Sequence, residues 1–567
     1  MFLNNNLNFL LQNNEKRFLW IIFFGIIFST ILEAISIASI IPVFNIIVLE
    51  KFPSNNFISL DNVKFDSHFK ILVLFIFVLI FFIKNLFIIL FNFFFINFVH
   101  KLNINISNRV FAIFLKQDYI FFAKEDSKDF LQKITEDVNN TNSFLISSVN
   151  FFIEIIFILA VSIFLMFISF KIFLFCFLIF FTIIFIYYNI FKKKITKWSF
   201  SNRDSSIKIK NLVIEGINGI KDIIIYKLDD YFSKSFNENS VLANHTRARI
   251  DFLNNVQKYW LELVTIFALT LALTYFVFSS VDVSKLIPVF GVFIFALFRL
   301  LSSFNRVVIH GQNIKFNYIS FLSIVDYFKK FSQYKKNLDY NKKNISFDSK
   351  IEFKNVCFFY DHNSNMVIND INLEINKGDC VGIFGKNASG KSTFLNLISG
   401  FINPTRGSII IDGEHDLYTN RYSWNQKLSY VQQNIFLLDS TIKHNICLVD
   451  ENQINQSKLM KIFDCLQLRT FFNIFPHKLE TRVGNNGLHL SGGQKQIISL
   501  ARALYKDSEI IILDEPSSAL DYTNTQLLKN IIQSLKGQKT IFMVTHEKDL
   551  FNDCFNRIIK INSGKII

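Results

Sequence analysis

The sequence predicts a helical membrane domain of six transmembrane helices joined to an α/β domain with a largely parallel sheet. Three observations carry that prediction: long apolar stretches confined to the first part of the chain, basic residues gathered in the connections between them, and strand–helix alternation after residue 351. At 567 residues the chain exceeds one compact core, and with 51% hydrophobic and 19% charged residues it is too apolar to be disordered. A mean hydropathy of +0.32 beside a formal charge of +15 fits spans flanked by basic residues. The 6 cysteines form no CxxC pair, which argues against a zinc ribbon, a thioredoxin-like site or a secreted disulfide scaffold. The 71 phenylalanines, beside abundant Ile, Asn and Lys, follow A/T-rich codons and carry no aromatic-binding reading.

Six stretches, 18–49, 70–99, 144–169, 171–191, 259–280 and 286–305, are near or above the roughly 20 apolar residues that a helix needs to cross the hydrocarbon layer. The first is too long for a signal-peptide core and no small-residue cleavage site follows it, so it is read as a retained span. The connections after the second and fourth spans carry Lys101, Arg109, Lys116, Lys124, Lys192, Lys193, Lys194, Lys197, Arg203, Lys208 and Lys210. That excess makes them cytoplasmic and puts both termini inside, in the inner membrane. The opposite connections, 53–69, near Phe170 and 282–285, are modest or short. Over 100–143 and 192–257 apolar residues at helical spacing are relieved by charges, which predicts helical extensions of the spans, each pair joined by a short turn helix at 118–122 and 226–232. The polar run 335–350 reads as a linker between a membrane domain, 1–334, and a second domain, 351–567. No internal repeat is visible, so a second copy of either module would come from another polypeptide.

The run Gly385, Lys386, Asn387, Ala388, Ser389, Gly390, Lys391, Ser392 matches GxxxxGK[ST], after an apolar strand at 381–384 and before a helical run from Thr393. Glycines at this spacing let backbone N–H groups wrap phosphates, Lys391 reaches the terminal phosphates, and the Ser392 hydroxyl suits Mg²⁺. Downstream, the apolar strand 510–513 delivers Asp514 and Glu515 at its end. Alone, such a pair reads as a helix cap. Behind a phosphate loop it reads as hydrolysis of ATP, with Asp514 holding Mg²⁺ and Glu515 polarising the attacking water.

Leu490, Ser491, Gly492, Gly493 and Gln494 spell the signature of the ATP-binding-cassette transporters, and the chain resembles that family over essentially its whole length. The resemblance implies an α/β P-loop ABC ATPase domain in which the signature of one subunit caps the γ-phosphate held on the phosphate loop of another. It assigns Tyr360 to adenine stacking, Gln433 to the loop joining nucleotide, Mg²⁺ and membrane helices, residues 518–521 to dimer contact, and His546 to the γ-phosphate. Catalysis then falls to Glu515, His546 and Lys391. Nucleotide binding falls to Tyr360, residues 385–393, Gln433, Ser491, Gly492, Gly493, Gln494 and Asp514, and metal binding to Ser392, Gln433 and Asp514. Ile497, where exporters commonly have Arg, and Asn485, where Glu is frequent, depart from the family pattern without touching a catalytic group. Six spans fused ahead of one cassette look like an exporter half-transporter that works as a homodimer or with a similar partner.

Ionisable residues inside spans are candidates for function. Helical rise places Lys84 and Arg299 at a common depth and Glu154 near the middle, where the three could share a cavity, with Glu33 nearer the outside and Glu262 and Arg306 close enough to the inner boundary to snorkel. Segments 32–42, with Glu33, Ser36 and Pro42, and 296–306, with Phe298, Arg299 and Arg306, are similar to bacterial flippases for lipid-linked oligosaccharides. That similarity implies a lipid-linked saccharide as substrate, drawn by its phosphates to Lys84 and Arg299. The alternatives are export of peptides or hydrophobic drugs, and a nucleotide-gated channel or regulator without turnover. The basic charge follows the inside loops and calls for no nucleic acid.

Overall fold

The computed structural model describes residues 10, 12–48, 67–124, 127–168, 170–278, 283–337, 344–360, 366–465, 475 and 477–567. It divides into two units, Met1–Gln117 with Glu125–Asn337, and Asp118–Lys124 with Leu338–Ile567. A short segment between two helices of the first unit is thus packed with the second.

The first unit is helical. Its elements are α1 Asn13–Ala38, α2 Ile40–Val48 and α3 Ser67–Leu115, then, after α4 Tyr119–Lys124 of the other unit, α5 Ser127–Gln132, α6 Val138–Ile168, α7 Phe170–Asn218, α8 Ile220–Tyr226, α9 Asp229–Phe278 and α10 Val283–Asn337. Among the described residues three helices, Asn13–Ala38, Ser67–Leu115 and Asp129–Ile163, are long and apolar enough to cross a membrane. The other expected spans, 171–191, 259–280 and 286–305, run through α7, α9 and α10 with their side chains largely outside the described residues; of the expected connections, 53–66, 282 and 338–343 lie outside them, while 283–285 and 335–337 belong to α10. The first apolar stretch is broken at Ser39, between α1 and α2. Pro42 stands three residues on, where its ring and missing N–H oppose an unbroken helix.

Helices α3 and α7 continue far past their apolar portions, at 49 residues each, and α9 and α10 reach 50 and 55. The polar ends of α7 and α10 are tied to the α5–α6 junction by a buried ionic knot. Asp137, 0% exposed, ends a π-turn over Lys133–Asp137 and accepts from Arg203 Nη2 at 3.0 Å and Ser320 Oγ at 2.9 Å. Arg203 also reaches Asp129 at 3.3 Å and Ser323 Oγ at 3.2 Å, so the buried charge is both paired and hydrogen-bonded, as desolvation demands. The first turn helix falls at Tyr119–Lys124, on the expected site. The second is Ile220–Tyr226, earlier than the expected 226–232, which instead holds the reversal at Lys227 (φ +50°) and the start of α9.

Among its described residues the second unit contains two sheets. A four-stranded antiparallel sheet, ordered β2-β1-β4-β5, is formed by β1 Lys350–Phe358, β2 Ile368–Asn376, β4 Arg406–Ile411 and β5 His415–Asp416. A six-stranded sheet, ordered β10-β9-β3-β8-β7-β6, contains β3 Cys380–Phe384, β6 Leu428–Val431, β7 Ile510–Asp514, β8 Thr540–Val544, β9 Arg557–Asn562 and β10 Lys565–Ile566. It is parallel apart from β10. The helices are α11 Lys391–Ile398, α12 Arg421–Gln426, α13 Ile442–Cys447, α14 Gln456–Cys465, α15 Gly492–Lys506, α16 Tyr522–Leu535 and α17 Lys548–Phe551. The parallel sheet follows from near-continuous apolar runs: β8 is buried at every residue, and β3 and β7 at all but the last. Those last residues open the site.

Candidate active site

Strand β3 ends at Phe384 and α11 begins at Lys391, so residues 385–390 turn through tight backbone. Gly390 caps the helix at φ +105°, and a Cβ on Gly385 would meet Ile561 O at 2.3 Å, which is why both positions need glycine. The loop is shaped as a cradle for an anion. Lys391, itself buried, turns its ammonium back on the carbonyls of Gly385 at 2.9 Å and Lys386 at 3.1 Å, and the buried Ser389 hydroxyl has no hydrogen-bond partner among the described residues. An orphaned buried hydroxyl beside an inward-turned lysine at a helix N-terminus is a phosphate-binding arrangement. Lys386, Asn387, Ala388 and Ser392 are exposed, while Thr393 is buried, with Oγ1 3.3 Å from the Tyr360 hydroxyl. Tyr360 therefore stands beside the first turn of α11, its ring 38% exposed and packed edge-on against Phe358.

At the end of β7, Glu515 adopts a left-handed backbone (φ +49°) held by its N–H on Val544 O at 2.9 Å. Two other sequence candidates converge on its carboxylate: Gln433 Nε2 lies 2.8 Å from Oε2, and His546 Nε2 lies 3.1 Å from Oε1. Neighbouring Asp514 accepts from the Tyr430 hydroxyl at 3.3 Å. Burial raises the Asp514 carboxyl above its ordinary value; the Tyr430 hydrogen bond opposes this, Glu515 adds to it and the Lys391 charge opposes it again. Burial first, then the Asp514 charge, pushes the Tyr430 phenol up, so it remains a donor. Ser392 hydroxyl, Gln433 amide and Asp514 carboxylate offer oxygen ligands of the kind a hard divalent cation takes.

The signature forms the N-terminus of α15. Ser491 is the N-cap: its Oγ accepts from Gln494 N at 3.3 Å, and Gln494 Oε1 accepts from Ser491 N at 2.8 Å, a reciprocal capping box. Ser491 and Gly492 are exposed, and a Cβ on Gly493 would meet Ala519 O at 2.8 Å. The signature thus rests on the 518–521 loop. Gln496 joins the two, donating to Glu515 O at 2.9 Å and accepting from Ala519 N at 3.2 Å. Neither Gln496 nor Tyr430 was among the sequence candidates; a polar side chain amid buried Ile497, Ile498 and Ser499 was the visible signal for the first.

Three charged candidates lie in the membrane unit. Arg299 pairs with Glu33 and lies over the Phe157 ring at 4.8 Å, and Lys84 is within electrostatic reach of both ions, its ammonium 4.8 Å from the Phe81 ring. Glu154 instead pairs with Arg306, Nη2 to Oε2 at 3.1 Å. The expected trio is therefore divided: Arg299 pairs with Glu33, with Lys84 within electrostatic reach of both, while Glu154 is satisfied by Arg306, which turns to it rather than only snorkelling.

The profile described as "ABC transporter transmembrane region" matches residues 20–303, and that described as "ABC transporter" matches 368–518. Over 356 residues the chain is 29% identical to an "ATP-dependent lipid A-core flippase" of Yersinia pestis, covering 62% of this chain and 60% of that protein. Over 387 residues it is 26% identical to the "Heterocyst differentiation ATP-binding protein HepA" of a Nostoc species, covering 66% of this chain and 61% of that one. The chain spans about 60% of the length of the first of these curated relatives. A solved structure, "Structure of a bacterial Atm1-family ABC exporter with ATP bound", superposes with a TM-score of 0.78 at 18% identity, covering 97% of this chain and 95% of that one, which shows a shared fold. With the transmembrane-region profile covering half its length and the ATPase profile following in the same polypeptide, this chain belongs to the ABC transporter family.

Proposed function

We propose that this chain is an ATP-driven exporter of the flippase kind, hydrolysing ATP at the cassette to move an amphipathic, anionic lipid, a lipid-linked saccharide in its most specific form, across the inner membrane. The observation that carries the hydrolytic part is the carboxylate of Glu515, gripped from both sides by Gln433 and His546 at the end of β7. In this reading Glu515 takes the proton of the attacking water, His546 orients at the γ-phosphate, and Lys391 leaves the Gly385 and Lys386 carbonyls for the phosphates. Ser392, Gln433 and Asp514 would hold Mg²⁺, which when bound neutralises charge on the phosphates.

Six spans, cytoplasmic termini and a homodimer complete the proposal. The exposed signature at Ser491 and Gly492 supports pairing, because an exposed helix N-terminus is a surface for another copy's nucleotide. The cargo reading rests on the Lys84, Arg299 and Glu33 cluster, two cations to one carboxylate, which favours an anionic headgroup. The test is steady-state hydrolysis by the full chain in lipid nanodiscs, with Glu515→Gln beside it. Turnover that disappears in the variant supports the proposal. A wild type that binds ATP and turns none over would make the chain a nucleotide-gated regulator. Stimulation by a pyrophosphate-linked saccharide lipid that is blunted in Lys84→Gln supports the cargo; unchanged stimulation argues for a neutral drug or peptide.

A further inference from the structure

The segment Asp118–Lys124 belongs to the same compact unit as the cassette, although the chain enters it from α3 and leaves it toward α5. Its first three residues seat it. Asp118, 7% exposed, pairs with the buried Arg421 of α12 and lies 3.4 Å from the Tyr418 hydroxyl. Tyr119 stacks on Phe401, centroids 5.6 Å apart with planes at 26°, and Ile120 packs on the core formed by both sheets. Phe401 is placed by the phosphate-loop helix itself: α11 closes through Gly400 (φ +70°), and Phe401 N donates to Asn396 O at 3.0 Å.

Phe401 in turn meets Tyr430, centroids 5.9 Å apart and tilted by 55°. Tyr430 lies on β6, the edge strand beside β7, with Tyr430 in register with Ile512. From there its hydroxyl reaches forward to Asp514 Oδ2 at 3.3 Å. Three rings and one hydrogen bond thus run without a break from the inserted segment to the carboxylate at the end of β7. The ring contacts fix where the phenol sits, and the phenol fixes how the Asp514 carboxylate is turned.

We propose that Tyr430 is a positioning residue for Asp514, and that Tyr119, through Phe401, holds Tyr430 in place, so that seating of the 118–124 segment is read at the metal-binding carboxylate. This rests on the ATPase reading above. The chain of contacts ends on Asp514, so the device acts on the metal side of the site.

The experiment uses full-length protein in lipid nanodiscs, with Mn²⁺ as probe followed by electron paramagnetic resonance in the presence of a non-hydrolysable ATP analogue. Tyr430→Phe keeps the ring and loses the donor. It is expected to raise the Mn²⁺ dissociation constant about three- to tenfold, while binding of the analogue without metal stays within about twofold. Tyr119→Leu is expected to shift Mn²⁺ affinity in the same direction by about threefold and to add nothing when combined with Tyr430→Phe, since both act through one link. A Tyr430→Phe protein with unmoved Mn²⁺ affinity overturns the positioning role. Effects of the two substitutions that multiply overturn the link to the inserted segment. If the wild type hydrolyses ATP, either of these results sinks only this inference, whereas a wild type without turnover sinks the ATPase reading beneath it.

Discussion

In the function proposed above Glu515 carries the chemistry, and two polar side chains from separate segments spend their hydrogen bonds on it. Glu515→Gln is expected to lower hydrolysis by at least about 10²-fold, the usual worth of a positioned general base, while fluorescent-nucleotide binding persists; steady-state phosphate release checks it. Asp412 does structural work of the same kind. Its carboxylate accepts from the backbone N–H of Asp348, Ser349 and Lys350 at 2.7, 2.8 and 2.9 Å, tying the chain entering β1 to the end of β4. Burial alone would raise this carboxyl, but the backbone donors and the Ser349 hydroxyl outweigh it and hold it below its ordinary value. The sign follows: a depressed native pKa contributes stability above the unfolded-state value near 3.8, lost as pH falls through the lower native value. Asp412→Ala is therefore expected to cost about 1–2 kcal/mol near neutral pH, and the gap between the two proteins to close only in strong acid, as thermal melts across pH would record. None of the sequence motifs pointed to Asp412, since its partners are backbone groups more than 60 positions away.

Elements were legible where their pattern is local. Strand β3, the phosphate loop and α11 follow one another within about 20 residues and need nothing distant to be recognised, and the strand before Asp514 reads from four consecutive apolar residues. The antiparallel sheet was not legible, because its register pairs Ile351 with Ile411, a contact made by folding and not by spacing. The second turn helix was misplaced for a different reason. Gly219 is its N-cap and marks the break, but the reversal after it is made by Lys227 in a left-handed conformation, a residue type that carries no turn signal. The first turn helix sits on the expected residues, and its buried Asp118 and Arg421 pair offers a direct test. Arg421→Leu strands a buried carboxylate, a loss of about 3 kcal/mol or more, so amides of the 118–124 segment are expected to exchange with deuterium about 10²-fold faster. Unchanged exchange there would mean that the ion pair does not seat the segment.

The whole molecule joins a helical membrane unit to a cassette unit that holds a phosphate loop and a signature in one copy each. The charged membrane residues show how far sequence reaches: helical rise brings Lys84 near Arg299, but which carboxylate answers which arginine depends on how four helices pack, and Glu33 and Glu154 take different partners. If two copies complete each nucleotide site, Gly493→Asp, which would drive a side chain into Ala519 O, is expected to remove hydrolysis while leaving nucleotide binding by the phosphate loop within about twofold. Titrating wild type with this variant is then expected to lower the activity per wild-type chain, since mixed pairs lose a signature; activity that stays constant per wild-type chain would mean that each copy works alone. The most direct test of the proposal as a whole is leaflet-resolved transport of a fluorescent pyrophosphate-linked saccharide lipid in proteoliposomes supplied with ATP and Mg²⁺ on the cassette side. The account predicts time-dependent arrival of label in the opposite leaflet for the wild type and background for Glu515→Gln; equal rates for the two proteins would contradict it.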